Sequence, residues 1–390
     1  MLELASGYEV TDYFHQLMRD TFIASGRVSF YPMSELLGEP GSGAYTIRSL
    51  LSGATQTVEV RKRLVDATMI NTSIPLTHTR KFTVADGVTC VPPNDLTRLA
   101  PGRKHFAVLG AGKTAIDSVS WLLANGAPSE RITWVLPRDP WLVNRAIGQP
   151  GLAHFEQALG ATARQYEIFA TAESVRDLCL QMEVAGTWMR LDPNVWPTMF
   201  HGAIVTNLEI DQLRRIKHMV RLGRVKHIDK QRMQLERGEQ PSHPETLYVD
   251  CTAGVAECEM LNHAAQSVFD YALVRLHMIR IYQPTFSAAL IARIEATSAD
   301  DAAKRQLCQP TRMTDTVEDH LQVMAVSMRN QAAWNALPEL RSWIRTCRLD
   351  AFGSTIAQVA KDDAPRRGVL ARMAAAAGPA LENLQRLTAA

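Results

Sequence analysis

No apolar run in the 390 residues approaches the length of a membrane-spanning helix, which argues against an integral membrane protein of that kind. Net charge is nearly absent as well. Forty-two basic and 40 acidic residues leave a formal +2, with no basic stripe interleaved with aromatics, so nothing draws the chain to nucleic acid. Cysteine pairs are missing: Cys90, Cys179, Cys251, Cys258, Cys308 and Cys347 are scattered, and none form C-x-x-C. That spacing excludes the common zinc and dithiol-redox patterns and fits reduced thiols in a cytoplasmic protein, with no metal expected. The start, Met1 to Glu9, has neither a basic n-region nor an apolar h-region, so a secretory leader is not expected. What remains is an ordinary globular composition, 46% apolar and 21% charged, at a length that suits two or three domains.

Along the chain, residues 9–25 carry Tyr13, Phe14, Leu17, Met18 and Phe22 at helical spacing and stop at Gly26. Val28 to Met33 reads as a strand. Tyr45 to Leu51 and Thr57 to Arg61 alternate with period two around a turn at Gly53, which predicts a hairpin. Arg63 to Thr68 is a short apolar strand, and residues 71–102, punctuated by prolines, read as a connection between domains. His105–Leu109, the turn Gly110–Ala115, a helix from Thr114 to Asn125 and a strand Ile132–Leu136 make a β-α-β unit. Residues 151–222 look mainly helical, 224–252 again β, and 285 onward helical with breaks at Pro310, Pro338 and Pro365. One internal echo stands out: Leu64-Val-Asp-Ala-Thr68 and Tyr248-Val-Asp-Cys-Thr252 both run strand, Asp, small residue, Thr.

The turn Gly110-Ala111-Gly112-Lys113-Thr114-Ala115 carries the most chemistry. It follows a strand and opens a helix, as a dinucleotide fingerprint must. The first glycine permits a sharp turn, the second leaves room for a pyrophosphate at the backbone, and the small Ala115 lets helix and strand pack closely. A relaxed P-loop, Ala107 to Gly112-Lys113-Thr114, with Leu247 to Asp250 as a Walker B strand, is the rival. Against it, Ala107 stands where a P-loop has glycine, and the turn is too short to wrap a phosphate. The end of the second strand offers Leu136 and Pro137 where an NAD site has a carboxylate, and Arg138 follows, so the reading favours NADP through its 2′-phosphate. No tyrosine is followed by lysine four positions later, so a short-chain dehydrogenase pair is absent. His78, His154, His201 and His263 read as structural or surface histidines.

His105 to Ser118, followed by Trp134-Val-Leu-Pro-Arg-Asp139, resembles the NADPH domain of flavin-containing monooxygenase-like and related NAD(P)- and FAD-dependent oxidoreductases. The resemblance implies an FAD domain interrupted by an NADPH domain, each ending in an Ala-Thr-Gly-like turn, here Asp66 to Met69 and Asp250 to Gly254. It places Thr68 and the helix start near Gln283 and Ser287 at the flavin, and it leaves the oxygen chemistry to the flavin, so no catalytic side chain is named. The FAD fingerprint is missing, Gly41-Ser-Gly cannot replace it, and Met69 stands in place of a glycine. The expectation is therefore a flavoprotein without its first β-α-β unit, carrying NADP more readily than FAD.

The expected fold is α/β, a Rossmann-type NAD(P)-binding domain inserted in an incomplete FAD-binding domain, with a helical C-terminal region. The expected boundaries are 1–102 for the first part of the FAD-type domain and 103–254 for the NAD(P) domain, with a helical insertion at about 151–222. Residues 255–300 return to the FAD-type domain and 301–390 form the helical region. The functional expectation is an NAD(P)H- and flavin-dependent oxidoreductase acting on a small molecule of unspecified class. The alternatives are a non-catalytic nucleotide-binding remnant and a P-loop ATPase. Homo-oligomerisation stays open.

Overall fold

Ser6 starts the first helix through a capping box: its hydroxyl accepts from Glu9 N, and the Glu9 carboxylate accepts from Ser6 N at 2.7 Å. The computed structural model describes residues 4–39, 42–69, 73–254, 266–298 and 300–389; Gly41, Cys258 and His263 lie outside them. Helix α1 (Gly7–Leu17) continues as a π-helical stretch, Met18–Ile23, and neither has a buried residue. The strand expected at Val28 does not form. It begins instead at β1 (Ser34–Leu37), because Pro32 has no N–H to donate and Met33 takes φ 48°. β2 (Ala44–Ser49) and β3 (Thr55–Glu59) form the expected hairpin, and β2 also pairs with β1, completing an antiparallel sheet. Tyr45 is the one buried hydrophobic side chain among the described residues before β4 (Leu64–Asp66).

The proline-punctuated stretch holds more than a connection. β5 (Thr83–Val84) and β6 (Thr89–Val91) lie in it, followed by the single turn α2 (Leu96–Leu99). Then come β7 (His105–Leu109), α3 (Lys113–Ala124) and β8 (Ile132–Val135), within a residue or so of the expected bounds. β9 (Trp141–Asn144) precedes the expected insertion, which contains α4 (Ala161–Thr171), α5 (Val175–Val184), β10 (Trp188–Arg190), β11 (Ile204–Val205) and α6 (Asn207–Leu213). Helical residues predominate there, as expected, with only short strands among them, and the stretch ends in β12 (His218–Val220). A meander follows, β13 (Val225–Ile228), β14 (Arg232–Leu235) and β15 (Gly238–Pro241), and then β16 (Thr246–Asp250).

The central sheet is parallel throughout, in the order β12-β8-β7-β16-β6. Such a sheet must be covered on both faces, and its strands read as continuous apolar runs. The side chains divide with period two. Phe106, Val108, Ile132, Trp134, Leu247 and Val249 pack with Ile116, Val119 and Leu122 of α3 and Leu213 of α6. Ala107, Leu109, Val135 and Tyr248 face the meander, meeting Phe82, Ile228 and Met233.

After this unit the chain forms β17 (Phe269–Asp270) and β18 (Leu273–Arg275), and β18 pairs in parallel with β4, Leu273 beside Leu64. Arg63 clamps the junction: its guanidinium donates to the Tyr271 carbonyl, to Glu295 at 2.9 Å and to Asp301 at 2.6 Å. The Rossmann-type unit is therefore inserted between two segments that rejoin. Helices α7 (Pro284–Thr297), α8 (Asp301–Leu307), α9 (Val317–Ala336), α10 (Pro338–Thr346), α11 (Ala351–Ala357) and α12 (Ala364–Thr388) complete the fold. The alanine-rich α12 buries Ala380 and Leu384 in a core shared with Trp141, Phe169 and Leu321. Among the described residues no helix is long and apolar enough to cross a membrane.

His320 of α9 sits in this helical region, stacked on Phe200 at 4.1 Å between centroids, with its Nδ1 unpartnered. Burial pushes its pKa down to about 3. The neutral ring is retained on folding while the unfolded chain takes up a proton below about 6.5, so stability falls with pH between those values. At pH 5 the loss is about 2 kcal/mol. His320→Phe should remove this part of the pH dependence in urea titrations at pH 7 and 5; an unchanged dependence would show that the titrating group lies elsewhere.

Candidate dinucleotide site

A cavity of about 360 Å³ opens at the carboxyl ends of β7, β8 and β16. β7 is followed by a helix that leads to β8 on one side, while β16 flanks it on the other, so the cavity lies where strand order reverses. Open parallel sheets bind ligands at such a point. Gly110, Ala111 and Gly112 line its floor.

Each small residue of the turn has a distinct role. Gly110 takes φ +123°, and a Cβ there would stand 2.6 Å from the Cys251 carbonyl oxygen, so no side chain fits between the turn and β16. The turn is held from below by the buried indole of Trp134, whose Nε1 donates to the Gly110 carbonyl at 2.8 Å. Gly112 is the opposite case: a Cβ there would meet nothing within 4 Å. Ala115 is fully buried against the sheet. Helix α3 starts on Gly112 with no side-chain cap, whereas α5, α6 and α9 start on a capping Ser or Thr. Its first N–H groups and the positive end of its dipole are left for an anion. Lys113 turns back along the helix to pair with Asp117, and Thr114 is exposed; neither covers the turn as a P-loop lysine and hydroxyl would.

On the β8 side, Arg138 lines the cavity and forms a bidentate pair with Asp315, at 2.9 Å through Nη1. His201 Nε2 lies 2.9 Å from the same carboxylate. Arg138 beside it, with His201, holds Asp315 below the usual carboxylate range. The neighbouring Asp139 is taken by Arg221 at 2.8 and 2.9 Å. Arg224, just before β13, adds a second guanidinium-bearing residue to the lining.

On the β16 side, Asp250 is 1% exposed and fully engaged. One oxygen accepts from Thr252 N at 3.0 Å and Thr252 Oγ1 at 2.7 Å; the other meets His78 Nε2 at 3.0 Å and Arg80 Nε at 3.1 Å. A Walker B aspartate would face a metal; this one is spent on the protein. Asp66 repeats the turn, accepting from Thr68 N at 2.8 Å and Thr68 Oγ1 at 2.7 Å, so the sequence echo is an echo in geometry. Cys251 lines the cavity, but burial pushes its thiol up to about 12, which rules it out as a nucleophile at neutral pH.

The cavity brings Gly110, Ala111, Gly112 and Arg138 together; Thr68, Gln283 and Ser287 do not line it. Gln283 precedes α7, whose first residue is Pro284. The Ser287 hydroxyl is buried, accepts from Ile279 N and Arg280 N at 3.2 Å and donates to the Gln283 carbonyl at 2.7 Å. His78, His201, Asp315 and Arg224 carried no motif. Asp250 was marked in the sequence by the repeated strand-Asp-x-Thr pattern and by the rival Walker B reading.

No family model matches the chain. Over 388 residues it is 36% identical to uncharacterized protein Rv2000 of Mycobacterium tuberculosis, covering 99% of this chain and 70% of that one. The same figures hold for uncharacterized protein Mb2023 of Mycobacterium bovis. The chain belongs to the family of these mycobacterial proteins. Each relative thus has length outside the match. Among solved structures, a water-forming NADH oxidase from Lactobacillus brevis, bound to NADH, is matched at 13% identity with a TM-score of 0.24. That match spans 56% of this chain and 37% of the oxidase.

Proposed function

We propose that this chain binds an NADP-type dinucleotide and belongs to an oxidoreductase that draws on it. The observation that supports the reading most is the open space over Gly112 at the uncapped start of α3, where strand order reverses. The backbone of Gly110–Gly112 and the α3 N-terminus would take the pyrophosphate. Arg138 would meet the 2′-phosphate, with Arg224 nearby. When bound, the reduced cofactor supplies a hydride; the chain's own part is to bind and orient it and to keep Cys251 neutral beside it.

In the family that the sequence resembles, the hydride passes to FAD. The described residues that the resemblance assigns to FAD do not fit it: the Thr68 and Ser287 hydroxyls are committed within the chain, and α7 begins on a proline that lacks one of the N–H groups a pyrophosphate needs. These commitments favour a second reading, a nucleotide-binding chain without turnover of its own. Titration with NADPH and with ATP–magnesium tests the first step. Tighter binding of ATP would overturn the dinucleotide reading.

Cofactor choice has its own test. Arg138→Ala removes a charge-assisted partner of the 2′-phosphate and leaves the Asp315 carboxylate facing it. NADPH binding should weaken by roughly 10-fold or more, with NADH affected about 2-fold at most. Equal losses for both cofactors would make Arg138 a structural partner of Asp315 only.

A further inference from the structure

We infer that His78 reads the nicotinamide end of the dinucleotide, as the acceptor for a neutral amide N–H. The inference rests on the dinucleotide reading above and deepens it. The adenosine half of such a ligand lies over the end of the second strand of the unit, here β8, so its other half falls across β7 toward β16. His78 lines the cavity beside that end, where Cys251 to Gly254 leave the sheet.

The tautomer follows from its partner. Asp250 is a buried carboxylate that also accepts from Arg80 and from both the N–H and hydroxyl of Thr252. It can only accept, so the proton between it and His78 sits on Nε2. With Nε2 donating to Asp250, Nδ1 is the nitrogen left to accept, on an imidazole whose side chain is 3% exposed and lines the cavity. Asp250 acts through His78 as a positioning residue, fixing which nitrogen carries the proton. A carboxamide, with its N–H donors, is the part of a nicotinamide that such an acceptor recognises.

The test compares ligands that differ at that end alone. NADPH, its analogue with an acetyl group in place of the carboxamide, and 2′-phospho-ADP-ribose, which lacks the nicotinamide, are titrated by calorimetry against the full chain and against His78→Phe and His78→Gln. The wild-type chain should bind the acetyl analogue about 3- to 10-fold more weakly than NADPH, the worth of one neutral hydrogen bond. His78→Phe should lose the same factor for NADPH and almost none for 2′-phospho-ADP-ribose. Glutamine, which can donate to Asp250 and still accept, should recover most of the loss. Equal affinity of the wild-type chain for NADPH and the acetyl analogue overturns the inference even if His78→Phe does not fold. So does a loss in His78→Phe shared by 2′-phospho-ADP-ribose. If the wild-type chain binds neither NADPH nor 2′-phospho-ADP-ribose, the dinucleotide reading itself falls.

Discussion

Gly112→Val should abolish NADPH binding and leave the fold intact, while Gly110→Ala should do the reverse damage. The two glycines lie two residues apart, yet the structure assigns them opposite sensitivities. Gly112 has φ −81° and ψ 179°, an extended conformation open to any residue, and its Cβ direction is empty. A valine there fits the protein and occupies the place of the pyrophosphate. The expected loss is 100-fold or more, about 3 kcal/mol or greater, with an unchanged melting temperature. Gly110 has φ +123° and faces the Cys251 carbonyl, so even a methyl group forces β7 and β16 apart. Strain of this kind costs on the order of 1–3 kcal/mol before the clash is counted. Calorimetry and thermal unfolding on both variants separate the effects. A folded Gly112→Val that binds NADPH normally would remove the main support of the proposed function.

The second expected result is a colourless protein. Purified by itself, the 390-residue chain should show no stoichiometric flavin absorbance and should not oxidise NADPH with oxygen. FAD needs backbone N–H groups for its pyrophosphate, and the residues the resemblance assigns to it have few to give. Thr68 N and Oγ1 both point at Asp66, Ser287 is closed on its own helix start, and among the described residues β4 has a single strand neighbour, β18. The apolar side chains near that open edge are uncovered too: Val65 is 54% exposed, and Tyr8, Phe14 and Phe30 lie in the same N-terminal part with no core of their own. A yellow protein with one flavin per chain would show that these groups rearrange to admit the cofactor.

Local pattern made the β-α-β unit legible. Five consecutive apolar or half-apolar residues, a glycine turn and a 3.6-residue repeat announce β7, the turn and α3 without reference to the rest of the chain. The same method passed over β6 and β12, which are three residues long. Too short to display a period, they are strands because a neighbour in the sheet offers them hydrogen bonds. The site divides in the same way. The glycine turn is a contiguous segment and could be read. Asp315 reaches Arg138 from 177 positions away, and His78 meets Asp250 across 172, so no spacing in the sequence could have joined them. Arg138 was legible as a cation at the right place, but the carboxylate that already holds it was not.

The rejoining of β4 and β18 also has a consequence for the order of events after synthesis. Arg63 donates to a carbonyl 208 residues further along the chain, and in an unstructured chain closing so long a loop is entropically costly and slow. Once the parallel sheet has formed, that closure is largely complete, because β6 and β16 lie side by side and bring the two ends of the inserted unit together. Pairing of β4 with β18 then becomes a local event on a preassembled scaffold. The Rossmann-type unit would thus template the segments that flank it, and damage to its core should be felt first as a failure of those distant strands to meet.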